Sequence, residues 1–200
     1  MQDSEPQVRY QTADLTALDL PVPATEQCPA DVQKYFAKCE EKLGLLPNVL
    51  KAYSQNLAQL EVFSKFYNEL MFGDSNLTPL EREMIAVAVS SRNHCFYCIV
   101  AHGAAIREYS GDPALGELIA INYRAAQLSE RHTAMLDFAV KMTDTPDGIQ
   151  EADRQQLRNA GFSDPDIWDI ANLAGFYNMT NRIASAVDMQ PNPEYHRHCR

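Results

Sequence analysis

No apolar run in this chain approaches the roughly 20 residues that a membrane-spanning helix needs, and no block of lysines or arginines interrupts it. The first lack argues against a helical membrane protein. The second, together with 17 basic against 27 acidic residues and a formal charge of −10, argues against a nucleic-acid or anionic-membrane binder. The opening MQDSEPQVRY has neither the basic flank nor the apolar middle of a signal peptide, so a cytoplasmic location is expected. Period-two alternation is missing too, which removes the main signature of β-strands. Cysteine is scarce and odd in number: Cys28, Cys39, Cys95, Cys98 and Cys199 are irregularly spaced, unlike the framework of a small secreted domain. With 200 residues the chain can bury a core without disulfide staples.

What is present is helical periodicity, punctuated by caps and stops. Residues 1–29, with Pro6, Pro21, Pro23 and Pro29, show no sustained period and read as an extended arm, either loose or packed on a neighbouring subunit. From Ala30 to Leu43, Val32, Phe36, Cys39 and Leu43 recur at three- and four-residue steps before Gly44 stops the helix. A short helix from Pro47 and a longer one from Leu57 to Met71 follow. Thr78 opens a capping box, with Pro79 at the first helical position and Glu81 as the returning carboxylate. The run MIAVAVSS behind it is apolar almost all round, which marks a buried helix. Further helices are expected over about 93–109, 112–123, 129–142 and 150–159, and a last long one is capped by Ser163 and Asp166. The expectation is an all-α domain of about eight or nine helices over residues 30–190, with a tail at 191–200.

Chemistry concentrates in EREMIAVAVSSRNHCFYCIVAHGAAIRE, residues 81–108. At about 100° per helical residue, Cys95, Cys98 and His102 fall within roughly 60° of one another, so two thiols and an imidazole share one face. A helix beginning near Asn93 or His94 places Cys95 in its first turn, where unpaired N–H groups and the positive end of the dipole favour a thiolate. Three readings stand at this point. The residues are packed core, or they are zinc ligands together with His94 or the tail's His196, His198 and Cys199, or they form a redox dithiol. In the third, His102 takes the Cys98 proton, Cys98 attacks a peroxide, and Cys95 resolves the sulfenic acid to a disulfide. Glu83, a carboxylate in the apolar helix, has a reason to exist if it moves protons. Glu81 reads as a cap. Phe176, Tyr177 and Trp168 read as core at helical spacing rather than as a pocket lining.

The spacing also carries a resemblance. A glutamate twelve residues before a C-x-x-C, with a histidine four after the second cysteine (Glu83, Cys95, Cys98, His102), resembles the alkylhydroperoxidase D core of the carboxymuconolactone decarboxylase-like superfamily. LGLLPNVLKAYSQN, FYNELMFGDSNLTPLERE and FSDPDIWDIANLAGFYNMTNRIA are similar to its larger, peroxidase-related members, over roughly residues 40–190. The resemblance implies an all-helical homo-oligomer with sites near subunit contacts. It also implies a thiol peroxidase or disulfide reductase activity without metal or organic cofactor. It casts Cys98 as the attacking thiol, Cys95 as the resolving one, and Glu83 with His102 as the proton relay. One departure stands out: Tyr97 occupies the place of a relay histidine, and a phenol is a poor base near neutral pH. The expected partners are therefore a hydroperoxide and an unidentified dithiol or protein electron donor. A disulfide oxidoreductase acting on another partner and a zinc-bound or redox-silent scaffold are the alternatives.

Overall fold

The structure, a computed structural model, describes residues 14–200. The first thirteen residues of the expected arm lie outside the described residues. Nine α-helices and short 3-10 turns make up the described part, which is all-α as the periodicity predicts. They are α1 (Ala30–Leu43), α2 (Asn48–Tyr53), α3 (Leu57–Phe72), α4 (Pro79–Arg92), α5 (Phe96–Ser110), α6 (Leu115–Asn122), α7 (Glu130–Asp144), α8 (Glu151–Asn159) and α9 (Asp164–Ala186).

Local chemistry accounts for most of these limits. The α4 capping box forms as the sequence predicts: Thr78 Oγ1 accepts from the Glu81 N–H at 3.1 Å, and Glu81 Oε2 accepts from the Thr78 N–H at 2.8 Å. Glu81 is buried and also takes Arg131 Nε at 2.7 Å, so its role is structural. Ser163 and Asp166 cap α9 in the same way. Gly44 and Gly111 end α1 and α5 at φ of 71° and 67°, a left-handed turn that costs glycine little.

Helix α4 is the hub, and every residue from Glu81 to Ser90 is buried. It packs against α5, α6, α7 and α9. A helix enclosed on all sides needs an apolar circumference, which the MIAVAV run supplies. Helix α6 lies tightly on α5: a Cβ on Gly116 would sit 2.9 Å from the Gly103 carbonyl oxygen.

Both terminal segments close on the body of the fold. In the described part of the arm, the Ala17 N–H donates to Val187 O at 2.8 Å, and the Gln190 N–H donates to Leu15 O at 3.0 Å. The tail at 191–200 is docked. Buried Asn192 accepts from the Asn48 N–H at 2.7 Å and donates to Leu46 O at 3.0 Å. A 3-10 turn (Pro193–His196) then lies along α5, where Arg107 donates to Tyr195 O at 2.7 Å and to His198 O at 2.9 Å. Carbonyls of a terminal segment leave no periodic signature, so this docking has no sequence signal.

Candidate functional site

The turn between α4 and α5 is built by His94. Its φ of 53° is left-handed, and around it the His94 N–H bonds Ser91 O at 3.1 Å and the Cys95 N–H bonds Ser90 O at 2.9 Å. This pair of bonds is a Schellman closure made without glycine. Cys95 therefore ends one helix motif and caps the next, since its own carbonyl accepts the Ile99 N–H at 3.0 Å. The sequence places Cys95 in the first turn of α5, and the structure sets it one step earlier, at the N-cap.

Cys95 and Cys98 are free thiols, 1% and 5% exposed. They sit in a small apolar cluster with Ala52, Tyr97, Ala184 and Met189, apart from the main core. The two side chains hydrogen-bond to each other, and this contact divides their charge. Cys95 is lowered to about 6, first because the Cys98 thiol donates to it, with the Cys98 N–H at the start of α5 and the Ser185 side chain adding to the effect. Cys98 is pushed well above the ordinary thiol value, first by that same bond and then by burial. Above about pH 6 the pair thus carries one negative charge on Cys95 and one proton on Cys98. One cysteine Cβ resonance is expected to titrate with a midpoint near 6, protonated below and thiolate above. NMR of cysteine-labelled protein checks this, and Cys95→Ser should remove the transition.

Glu83 and His102, the pair that the family resemblance implies, meet in the structure. Glu83 projects from α4 and His102 from α5, and Glu83 Oε2 lies 2.6 Å from His102 Nδ1, with Glu83 buried and His102 partly buried. An ionised carboxylate only accepts, so Nδ1 carries the proton and Nε2 is the nitrogen left to take one. The Tyr177 ring stands edge-on to the imidazole at 4.8 Å and fixes its plane. Burial raises the phenols of Tyr67, Tyr177 and Tyr195, and the charge of Glu83 adds to this in all three.

Tyr97 has a different job from the relay histidine it replaces. Its hydroxyl accepts the Val49 N–H at 3.0 Å, which serves an otherwise unpaired donor at the start of α2. Burial holds its phenol well above the usual value. Phe176 and Tyr177 are buried, as the helical spacing predicts. Trp168 is not: it is 71% exposed and lines a surface groove of about 300 Å³ with Phe66, Phe176 and Met179. Among the described residues no group of three or more His, Cys, Asp or Glu side chains is arranged to hold a metal ion. Among them too, no helix is long and apolar enough to cross a membrane.

Two residues beside the thiols escaped the sequence reading. Ser90 at the end of α4 and Asn181 in α9 are both wholly buried, Asn181 Nδ2 donates to Ser90 Oγ at 2.9 Å, and both side chains act to lower the raised Cys98 thiol. A signal existed for Asn181. It follows Ile170, Ala174 and Tyr177 at three- and four-residue steps on the buried stripe of α9, where an amide requires partners.

Comparison with known proteins agrees with this architecture. The model of the Carboxymuconolactone decarboxylase family matches residues 59–121. The crystal structure of an uncharacterized peroxidase-related protein from Silicibacter sp. TM1040 is 58% identical with a TM-score of 0.91, covering 95% of this chain and 98% of that one. An uncharacterized peroxidase-related protein from Ralstonia eutropha JMP134, described as an alkylhydroperoxidase AhpD core, is 38% identical with a TM-score of 0.88, covering 92% and 96%. The debrominase Bmp8 shares the fold at 18% identity, with a TM-score of 0.77 over 93% of this chain and 98% of that one. A search of curated proteins returned no match. At this identity and coverage, the chain belongs to the carboxymuconolactone decarboxylase/AhpD superfamily.

Proposed function

We propose that this protein is a thiol-dependent hydroperoxide reductase working through Cys95 and Cys98. The observation that carries the reading is the juxtaposition at the α4–α5 turn: two free, buried thiols, one at the N-cap of α5, on the helix whose His102 pairs with buried Glu83. The peroxidase-related relatives favour the same chemistry.

In the proposed cycle the proton between the sulfurs first passes from Cys98 to Cys95. The Cys98 thiolate attacks the terminal oxygen of a hydroperoxide, forming an S–O bond as the O–O bond breaks. The departing alkoxide takes a proton through the Glu83–His102 relay and leaves as an alcohol. Cys95 then attacks the Cys98 sulfenic sulfur: the S–S bond forms as the S–O bond breaks, and the proton held by Cys95 passes to the departing hydroxide, which leaves as water. A dithiol or a protein donor returns two electrons and two protons. No metal or organic cofactor enters these steps.

The near-complete burial of both sulfurs supports a small oxidant over a bulky protein disulfide. Homo-oligomeric assembly belongs to the same proposal, supported by the apolar groove around exposed Trp168, Phe66 and Met179, which a second copy would cover. The test is peptide mass mapping after one equivalent of hydroperoxide, timed against peroxide loss and repeated with a small dithiol. A Cys95–Cys98 disulfide forming in step with peroxide loss, and turning over with dithiol, is the expected result. Peroxide persisting over reduced cysteines sinks the reading.

A further inference from the structure

The turn that presents the dithiol is held from outside by a chain of side-chain amides. Asn181 in α9 is wholly buried and uses both ends of its amide on the last turn of α4: Nδ2 donates to Ser90 Oγ at 2.9 Å, and Oδ1 accepts from Asn93 Nδ2 at 3.0 Å. Residues 90 and 93 are three apart, so one amide clips a single face of that turn. The second Asn93 hydrogen goes to Asn178 Oδ1 at 3.0 Å. Asn178 is itself anchored, because its Nδ2 donates to Thr143 Oγ1 in α7 and to Ala174 O, both at 2.9 Å. Thr143 gives its own proton to Ala139 O at 2.8 Å, which leaves its oxygen to accept. Each amide is thereby oriented by the one before it, from a backbone carbonyl of α7 to the end of α4. A polar chain between packed helices is costly unless its members are paired, and an apolar contact would join the helices as well.

What the clip encloses is the backbone that sets Cys95. Ser90 O accepts the Cys95 N–H at 2.9 Å, and His94 between them holds φ at 53°, a left-handed value that a residue with a Cβ adopts at a cost. Cys95 has extended dihedrals, φ −82° and ψ 101°, as an N-cap does, and Cys98 is the third helical residue of α5. From an N-cap the side chain folds over the third residue of the helix, whereas from a helical position it tilts back toward the preceding turn. The cap geometry therefore decides whether the two sulfurs face each other. We propose that Asn181 is a positioning residue for the dithiol: bonded to Ser90 and Asn93, it keeps the last turn of α4 closed and so keeps Cys95 at the N-cap of α5, over Cys98. This assignment deepens the peroxidase reading and rests on it for the catalytic meaning of the dithiol, whereas its conformational content stands apart.

The test reads the turn directly. Asn181→Leu keeps most of the side-chain volume and removes both bonds, while Asn93→Ala removes the Asn93 side of the clip. In either variant, hydrogen exchange at the Cys95 amide should quicken roughly tenfold, as the loss of one or two hydrogen bonds allows, while Val87 in the middle of α4 exchanges as before. The Cys95 midpoint, near 6 in the parent protein, should rise by about one unit as the sulfur leaves its cap. The groups that titrate beside it, Cys98 and His102 of α5, are intact in both variants. Arg82→Leu is the control for stability: it should lower the melting temperature at least as much and leave the Cys95 midpoint near 6. Either readout unchanged in a folded variant overturns the proposal, and so does an equal midpoint rise in Arg82→Leu, which would indicate general loosening. Should Asn181→Leu not fold, Asn93→Ala, whose side chain is only partly buried, decides by the same two readouts. Neither readout involves peroxide, so both shifts in a protein that fails to reduce peroxide would keep this inference and remove only the peroxidase reading.

Discussion

Cys98→Ser is expected to reduce hydroperoxide turnover to the uncatalysed background, whereas Cys95→Ser is expected to consume one equivalent and stop. A serine hydroxyl stays protonated near neutral pH and lacks the nucleophilicity of a thiolate, so removing the attacking sulfur removes the first step altogether. Removing the resolving sulfur leaves that step intact and strands Cys98 as a sulfenic acid, which a sulfenic-acid-trapping reagent and peptide mass would locate on that residue. The measurement is peroxide consumed per chain, with a thermal melt to establish folding. Equal turnover in both variants and the parent protein removes the assignment. A single oxidation retained by Cys98→Ser and located on Cys95 reverses the roles of the two sulfurs, an outcome the resting charge on Cys95 makes worth testing.

Arg82→Leu is expected to cost about 4 kcal/mol of stability without touching either sulfur. Arg82 is buried in α4, and its guanidinium donates to three carbonyls: Leu77 O at 3.1 Å, Leu70 O at 3.1 Å and Gly73 O at 2.8 Å. These carbonyls lie at the end of α3 and in the loop to α4, where no further helical turn supplies donors. Leucine restores part of the volume but none of the donors, and each orphaned buried acceptor costs about 1–3 kcal/mol. For a chain of this size the loss corresponds to a fall in Tm of about 10 °C. Arg82→Lys should recover little of it, because a single ammonium cannot reach three acceptors set in a fork. A fall of less than about 2 °C would mean that water replaces the guanidinium.

The helix limits were legible because they depend on neighbours in sequence. Thr78, Pro79 and Glu81 satisfy each other's donors within one turn, so the start of α4 follows from three letters of the chain. The same holds for Ser163 and Asp166, and for the glycines that end α1 and α5. The enclosure of α4 was legible from its composition, since only a helix without a polar face can be covered on every side. Within the candidate site, helical geometry alone brought Cys95, Cys98 and His102 to one face, whereas the partnership of Glu83 with His102 joins two helices: the odd placement of a carboxylate in an apolar run marked Glu83, and only the family resemblance named its partner.

Other features depend on contacts that no periodicity encodes. Tyr97 has the position of a relay residue in the motif, yet its hydroxyl is used at the start of α2, forty-eight residues away. Trp168 has helical spacing suited to a core, yet the face of α9 that carries it has no covering helix among the described residues. The docked tail is held by backbone carbonyls, which every residue possesses alike.

The sequence by itself determined the all-α class, the order and caps of the helices, and the dithiol and imidazole on one face of α5, because these follow from bonds within one or two turns. Tertiary structure decided the rest. Only packing α4, α5 and α9 together brings Glu83 to His102 and Asn181 to Ser90, and only the left-handed turn at His94 sets Cys95 at the helix N-cap. Which sulfur holds the proton depends on that three-dimensional arrangement of donors and burial, since charge in a buried site responds to distance through space and not along the chain.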